Sequence, residues 1–149
     1  MGIEVAHLCV SIAGKNILQD LTISFAEGKR TVIIGPNGVG KSTLLRTLAG
    51  IQRPAARALL DGEEIRKFSR KKLARRLAIL PQGMTAPPDT TVQQLVAYGR
   101  FPYRSIWGAG DAKADREAVA WAVEATHLGG YLKRQVATLS GGERQRAFL

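Results

Sequence analysis

The sequence has one cysteine and lacks long apolar runs. Cys9 stands alone among 149 residues, which excludes a disulfide within the chain and a thiolate zinc site. No apolar run approaches the roughly 20 residues of a membrane-spanning helix. There is no charged-then-apolar leader, and Ala6 stands where a myristoylation signal needs Ser or Thr. We therefore expect a cytoplasmic protein with Cys9 as a small buried hydrophobe.

Acidic residues are also scarce, with 12 Asp and Glu against 22 Lys and Arg and a net charge of +10. Such a balance can mark a protein that binds nucleic acid or an anionic membrane. The densest cluster spans residues 66–76, where Ser69 is predicted to cap a helix whose Leu73 and Leu77 face inward. Aromatic residues for base stacking are missing there except Phe68. We expect a solvated helix face and no nucleic-acid partner.

One stretch carries a complete phosphate-binding pattern, G-x-x-x-x-G-K-[ST]. Its residues are Gly35, Pro36, Asn37, Gly38, Val39, Gly40, Lys41, Ser42 and Thr43. Glycines let successive N–H groups line one concavity, a Lys reaches terminal phosphates, and a Ser hydroxyl ligates Mg²⁺. A glycine-rich turn that merely precedes a helix is the alternative. Both flanks argue against it, because residues 31–34 predict a buried strand and residues 41–49 a helix.

The remaining pattern predicts an antiparallel unit followed by helices. Strands are predicted at residues 4–12, 17–25 and 58–60, with a hairpin turn at Asp61 and Gly62. Residues 31–34 and 78–80 are the two short strands predicted for a parallel core. After a connector at residues 83–89, a capping box at Thr91 opens one helix, and a second helix spans residues 111–128 before Gly129 and Gly130 stop it. Residues 100–110 are irregular and aromatic.

A second anion site is predicted near the end of the chain. Ser140 and Glu143 have the spacing of a capping box, and Gly141 and Gly142 leave the first turn of the helix bare. An ordinary capped helix with tolerated glycines is the alternative if the stretch is considered alone.

These two sites, in this order and separation, resemble those of ATP-binding cassette (ABC) ATPases. Residues 35–43 match the Walker A motif, Gln82 matches a Q-loop, and residues 139–143 match the signature. Residues 69–82 and 99–102 further resemble the cassettes of ferric-siderophore, haem and cobalamin importers.

The resemblance implies an α/β fold, a P-loop NTPase core with an antiparallel β subdomain and a helical subdomain, incomplete at its C-terminus. It assigns the β subdomain and the first part of the nucleotide-binding core to residues 1–82. The helical subdomain would be residues 83–140, and the start of the signature helix residues 141–149.

The resemblance also implies ATP and Mg²⁺ as cofactors. Lys41 on the terminal phosphates and Gln82 near the Mg²⁺ and water are the candidate catalytic residues, and Ser42 and Gln82 the candidate metal ligands. Ser140, Gly141 and Gly142 would bind ATP held by a second protomer of a homodimer. The other implied partners are integral-membrane permease subunits, with the protein on the cytoplasmic face of the cell membrane.

Two features depart from the family pattern. Ile12 occupies the position where such cassettes carry an aromatic residue that stacks on adenine, which predicts weaker or less selective ATP binding. The chain also ends at Leu149 inside the signature helix, without the family's Walker B Asp, the following Glu or the switch His. We expect a truncated chain that binds nucleotide weakly and does not hydrolyse it.

Three functions remain open from the sequence. The first is an ATPase subunit that energises import of an iron chelate. The second is a soluble ABC ATPase that acts on nucleic acid or in cluster assembly, which the basic charge allows. The third is a non-catalytic nucleotide-binding fragment.

Overall fold

The computed structural model describes residues 2–52, 57–104 and 111–149. They form two compact units, Met1–Ile79 and Leu80–Leu149. Part of the aromatic segment 100–110, including Trp107, lies outside the described residues. The functional division at residues 82 and 140 stays a prediction.

The first unit is built on a four-stranded antiparallel sheet in the order β2-β1-β3-β4. Its strands are β1 (Ile3–Ile12), β2 (Lys15–Phe25), β3 (Arg57–Leu60) and β4 (Glu63–Glu64). The alternation that predicts β2 is confirmed, because Leu21, Ile23 and Phe25 pack against the core while the residues between them are exposed. β1 and β3 are the two interior strands, since β1 pairs with β2 and β3, and β3 pairs with β1 and β4.

Two tight turns connect these strands. The predicted turn at Asp61 and Gly62 is confirmed, and both residues have positive φ, 50° and 80°. That pair of angles matches the type I′ turn that Asp-Gly favours between twisted strands. Ala13 and Gly14 join β1 to β2 with a similar pair of angles, 50° and 77°.

Two helices cover the core of the first unit. These are α1 (Lys41–Leu48) and α2 (Arg70–Ala74). The cap predicted for α2 is confirmed, because the Ser69 hydroxyl accepts a hydrogen bond from the Lys72 N–H at 3.2 Å. Leu44, Leu48 and Leu73 are buried with the inward-facing residues of β1 and β3.

Both short strands predicted for a parallel core are wrong. Residues 31–34 and 78–80 lie outside any strand. Val32 and Ile34 are 77% and 89% exposed, and only Ile33 of that run packs against the core. A parallel strand is held in place by backbone hydrogen bonds to a neighbouring parallel strand. Every strand in the described residues belongs to the antiparallel sheet, so neither run has a parallel neighbour there.

The prediction that Cys9 is buried is also wrong. Its neighbours Leu8 and Val10 point into the core, so the alternation of β1 puts Cys9 on the opposite, exposed face. The thiol sulfur there accepts a hydrogen bond from the Asp20 N–H at 3.4 Å.

The second unit is helical. Its helices are α3 (Val92–Tyr98), α4 (Ala112–Ala125) and α5 (Gly141–Phe148), around a core of Val92, Leu128, Val136, Leu139 and Ala147. The capping box at Thr91 is confirmed. The start of α3 is also tied to the segment before α5, because the Val92 and Gln93 N–H groups donate to the carbonyls of Arg134 and Leu132, each at 3.0 Å.

The sequence predicts that Gly129 and Gly130 stop α4, and this prediction is wrong. The helix ends at Ala125, and His127 takes the left-handed conformation with φ 55°. Its N–H donates to the Glu124 carbonyl and the Leu128 N–H donates to the Val123 carbonyl, which is a Schellman motif. Within the described ranges, every helix is too short or too polar to cross a bilayer.

Candidate phosphate-binding site

The loop of residues 35–40 leads directly into α1 and is exposed apart from Gly40. Gly38 and Gly40 have φ of 82° and 102°, in the region that residues with a Cβ rarely adopt. At these two positions the motif therefore needs glycine for the path of the backbone, whatever ligand is bound.

Gly40 is required for a second reason, its close approach to β2. A Cβ added there would lie 2.7 Å from Leu18 Cδ2 and 3.3 Å from the Ile17 carbonyl oxygen. Leu18 itself packs against the core. β2 thus packs directly against the loop at Gly40 and fixes where α1 begins.

The first turn of α1 is suited to an anion. No side chain caps it, and its first turn holds no acidic residue. The first intrahelical bond runs from the Leu44 N–H to the Gly40 carbonyl at 2.8 Å. Among the described residues no acceptor satisfies the backbone N–H groups of Lys41, Ser42 and Thr43, so these donors and the helix dipole favour negative charge here.

Lys41 places its ammonium over the loop. Its Nζ donates to the carbonyls of Gly35 at 2.6 Å and Pro36 at 2.7 Å. No carboxylate in the described part of the chain pairs with it, and an ammonium has three donors, so one remains for a phosphate oxygen. The side chains of Asn37, Val39 and Ser42 in the same stretch are exposed.

Ile12 belongs to the same unit as this loop. It ends β1, pairs with Lys15 across the hairpin turn, and is 43% exposed. The hairpin continues into Ile17 and Leu18, which contact the loop at Gly40. An exposed aliphatic side chain therefore lies on the hairpin that supports the loop.

The predicted capping box at the start of α5 is confirmed. The Ser140 N–H donates to Glu143 Oε2 at 2.8 Å, and the Glu143 N–H donates to Ser140 Oγ at 3.4 Å. The hydrogen bonds from Ser140, with a smaller one from Tyr131, hold the pKa of the Glu143 carboxyl below its ordinary value. Glu143 is therefore ionised near neutral pH at the positive end of α5.

The two glycines of this turn are not demanded by the local backbone or packing. Neither has a positive φ. A Cβ on Gly141 would meet nothing within 4 Å, and one on Gly142 would meet only the tip of Arg146 at 4.0 Å. Their lack of side chains leaves open space in front of the helix, which another molecule can enter.

Gln82 and Gly141 line the same cleft of the second unit, with a volume of about 490 Å³. Arg144 and Gln145 of α5 contribute its polar side, and Phe148 an apolar wall. The structure thus brings Gln82 and the start of α5 together. Residues 35–43 and Ile12 belong to the first unit.

Arg144 is a residue of this cleft that the sequence analysis does not single out. Its Nη2 donates to the carbonyls of Ala137 at 3.0 Å and Leu139 at 3.2 Å, which fixes the turn just before Ser140. Its Nε is buried without a partner among the described residues. The sequence signal that could have identified Arg144 is its position four residues after the Ser140 cap, from which a long side chain can reach back beyond the cap.

Comparison with known proteins identifies the family. The profile described as ABC transporter matches residues 18–149. The chain belongs to the ABC transporter family. The resemblance drawn from the three motifs is thereby confirmed, as is the fold class.

Curated relatives of this ABC transporter chain carry names of import and transport proteins. The iron(3+)-hydroxamate import ATP-binding protein FhuC of Bacillus subtilis is 43% identical over 148 residues, which are 99% of this chain and 55% of that protein. The ferric enterobactin transport ATP-binding protein FepC of Escherichia coli is 46% identical over 134 residues, 89% of this chain and 49% of that protein. The chain spans about half the length of these relatives.

Solved structures share the fold. An ATP-binding subunit of an ABC transporter matches with a TM-score of 0.79 and 22% identity, covering 99% of this chain and 60% of that one. A bacterial Atm1-family ABC exporter with ATP bound matches with a TM-score of 0.74 and 28% identity, covering 99% of this chain and 26% of that one. The roles of the individual site residues stay predictions.

Proposed function

We propose that these residues are part of the ATP-binding subunit of an ABC importer, which couples ATP binding and hydrolysis to uptake of an iron-siderophore or related metal chelate. The observation that carries the proposal is the loop of residues 35–40 with Lys41, positioned by β2 at the uncapped start of α1. The names of the relatives support the class of substrate. The working protein would lie on the cytoplasmic face of the cell membrane.

The residues present fit ATP with Mg²⁺. The unpaired N–H groups at the start of α1 and the Lys41 ammonium, which pairs with no carboxylate of the described residues, suit a polyphosphate, and the exposed Ser42 hydroxyl suits Mg²⁺. Lys41 would hold the terminal phosphates and Gln82 would orient the attacking water. When bound, Mg²⁺-ATP supplies the phosphoryl group and the cation that neutralises its charge.

The second half of the site would face another protein molecule. The open first turn of α5, with Ser140, Gly141 and Gly142, would bind ATP held by a second copy of the protein in a homodimer. Gln82, in the same cleft as Gly141, would transmit nucleotide binding to integral-membrane permease subunits.

A polypeptide of these 149 residues alone would bind nucleotide without turnover. Its sequence holds Lys41, Ser42 and Gln82, and no Asp and no further Glu follows Glu143. Phosphoryl transfer in P-loop enzymes needs an acidic residue on Mg²⁺ and a group that positions the water. Single-turnover ATP hydrolysis above background by this polypeptide would contradict the proposal.

Nucleotide binding is the direct test. Lys41→Ala removes a charge-assisted hydrogen bond, which is worth about 1.5–3 kcal/mol, so the Kd for a fluorescent ATP analogue should rise about 10- to 150-fold. Lys29→Ala is the matched control, since it removes an exposed lysine from the same unit outside the loop. Equal Kd values for the two variants would count against the site.

The importer and the nucleic-acid alternative make different predictions about partners. The tagged full-length protein should co-purify with a polytopic membrane protein from detergent-solubilised membranes. Recovery instead with nuclease-sensitive RNA or DNA would favour the soluble ABC ATPase.

A further inference from the structure

A cluster of exposed cations surrounds α2 in the first unit. Two basic residues of this region are neutralised locally, since Arg66 pairs with Glu64 and Arg76 with Asp61. Three further exposed cations, which we call the basic patch, are Lys67, Arg70 and Lys72. No acidic residue occurs in residues 66–76.

The fold directs these side chains outward. Leu73 is 7% exposed and packs into the core, which fixes the rotation of α2. Lys67, Arg70 and Lys72 stay exposed around it. The side chains of Lys67, Arg70 and Lys72 make no ion pair or hydrogen bond with the described residues.

Helix stability does not explain the basic patch. Arg70, Lys71 and Lys72 occupy the first turn of α2, which contains no acidic residue. Cations at a helix N-terminus oppose the macrodipole. The arrangement weakens the helix by itself, and a surface of negative charge facing these side chains would relieve it.

The lack of apolar and aromatic groups in the basic patch restricts the kind of partner. Phe68, the only aromatic residue near it, packs against the core, and Leu73 is buried. No described ring is therefore free there to stack on a base, and the only exposed apolar side chain of α2 is the single methyl group of Ala74, which is too small to anchor the helix in the acyl region of a bilayer. Contact by charge alone remains.

We propose that the basic patch binds the anionic phospholipid headgroups of the membrane surface. The inference rests on the proposed function in one respect, that an importer subunit works beside a membrane. Cations near an anionic leaflet contribute about 1 kcal/mol each, which is about a fivefold change in partition. The interaction requires neither ATP nor permease.

Vesicle flotation of the full chain tests the proposal. The patch variant carries Lys67→Gln, Arg70→Gln and Lys72→Gln, and the control variant carries Lys15→Gln, Lys29→Gln and Arg30→Gln, with the same loss of charge from the same unit. On vesicles of phosphatidylcholine with phosphatidylglycerol, the partition coefficient of the patch variant should be about a hundredfold lower than that of the parent. The partition coefficient of the control variant should fall much less. Salt of about 1 M should release the parent, because the Debye length falls to about 3 Å.

The outcomes are distinguishable. Equal losses in the two variants, or equal binding to vesicles of phosphatidylcholine alone, would overturn the proposal, the first by showing a net-charge effect and the second by showing apolar adsorption. Binding of the parent to an oligonucleotide but not to anionic vesicles, lost in the patch variant, would assign the surface to nucleic acid instead. The patch variant should melt no lower than the parent, since it removes cations from the first turn of α2. Failure here leaves the Lys41 test of nucleotide binding unaffected.

Discussion

Gly40→Ala isolates the part of the phosphate loop that depends on contact with β2. The new Cβ would lie 2.7 Å from Leu18 Cδ2, 3.2 Å from Ile17 Cγ2 and 3.3 Å from the Ile17 carbonyl oxygen. The Leu18 tip can shift only by disturbing the core against which it packs, and the carbonyl belongs to the sheet. Overpacking of this kind costs about 1–3 kcal/mol, in addition to about 1–2 kcal/mol for an alanine at positive φ.

Gly38→Ala is the matched control for this experiment. Gly38 lies in the same loop with φ 82°, but a Cβ there would meet nothing within 4 Å. It should therefore suffer the backbone strain alone. Urea unfolding of both variants should give a free energy of unfolding that is lower for Gly40→Ala by about 1–3 kcal/mol. Equal stability of the two variants would refute the idea that β2 fixes the start of α1.

Three further predictions concern other parts of the molecule. Because Glu143 has a lowered folded pKa, its capping box stabilises α5 above the unfolded pKa of the carboxyl and loses that effect as the pH falls through the folded pKa. Thermal melts between neutral and acidic pH should therefore show a smaller acid-induced drop for Glu143→Gln, and an identical drop would contradict this. His127→Gly should raise the free energy of unfolding by about 1 kcal/mol, since glycine adopts a positive φ without strain. Urea unfolding measures this gain, and equal stability of the variant and the parent would contradict the prediction. Ile12→Tyr should tighten ATP binding up to about tenfold in calorimetry, because ring stacking adds about 0.5–1.5 kcal/mol, and an unchanged Kd would refute the adenine assignment.

Features set by neighbours in the sequence could be predicted. The turn at Asp61 and Gly62 and the caps at Ser69, Thr91 and Ser140 depend on bonds within a few residues, so their patterns are sufficient. The phosphate loop also belongs to this class, because its glycines and lysine act through the local backbone.

Features that depend on distant partners could not be predicted. Residues 31–34 have the composition of a buried strand, yet a strand needs a paired neighbour, and a local pattern cannot show whether one is present. The contact between Gly40 and Leu18, and the bonds from Arg144 to the turn before Ser140, likewise depend on how elements pack. The Schellman hydrogen bonds that end α4 form about one turn earlier than expected, so His127 and not a glycine takes the left-handed conformation.

The topology of the first unit links the phosphate loop to the pairing of β1 with β3. Residues 26–56 connect β2 to β3, and β3 pairs with β1 near the start of the chain, with Ile3 opposite Leu60. Opening of that ladder would uncover Leu44 and Leu48, which hold α1 in place. A nucleotide that binds only the closed form must therefore oppose the opening by RT ln(1 + [L]/Kd). Amide hydrogen exchange along β1 and β3 should consequently slow when nucleotide is added, and this protection makes the two interior strands reporters of occupancy at the loop.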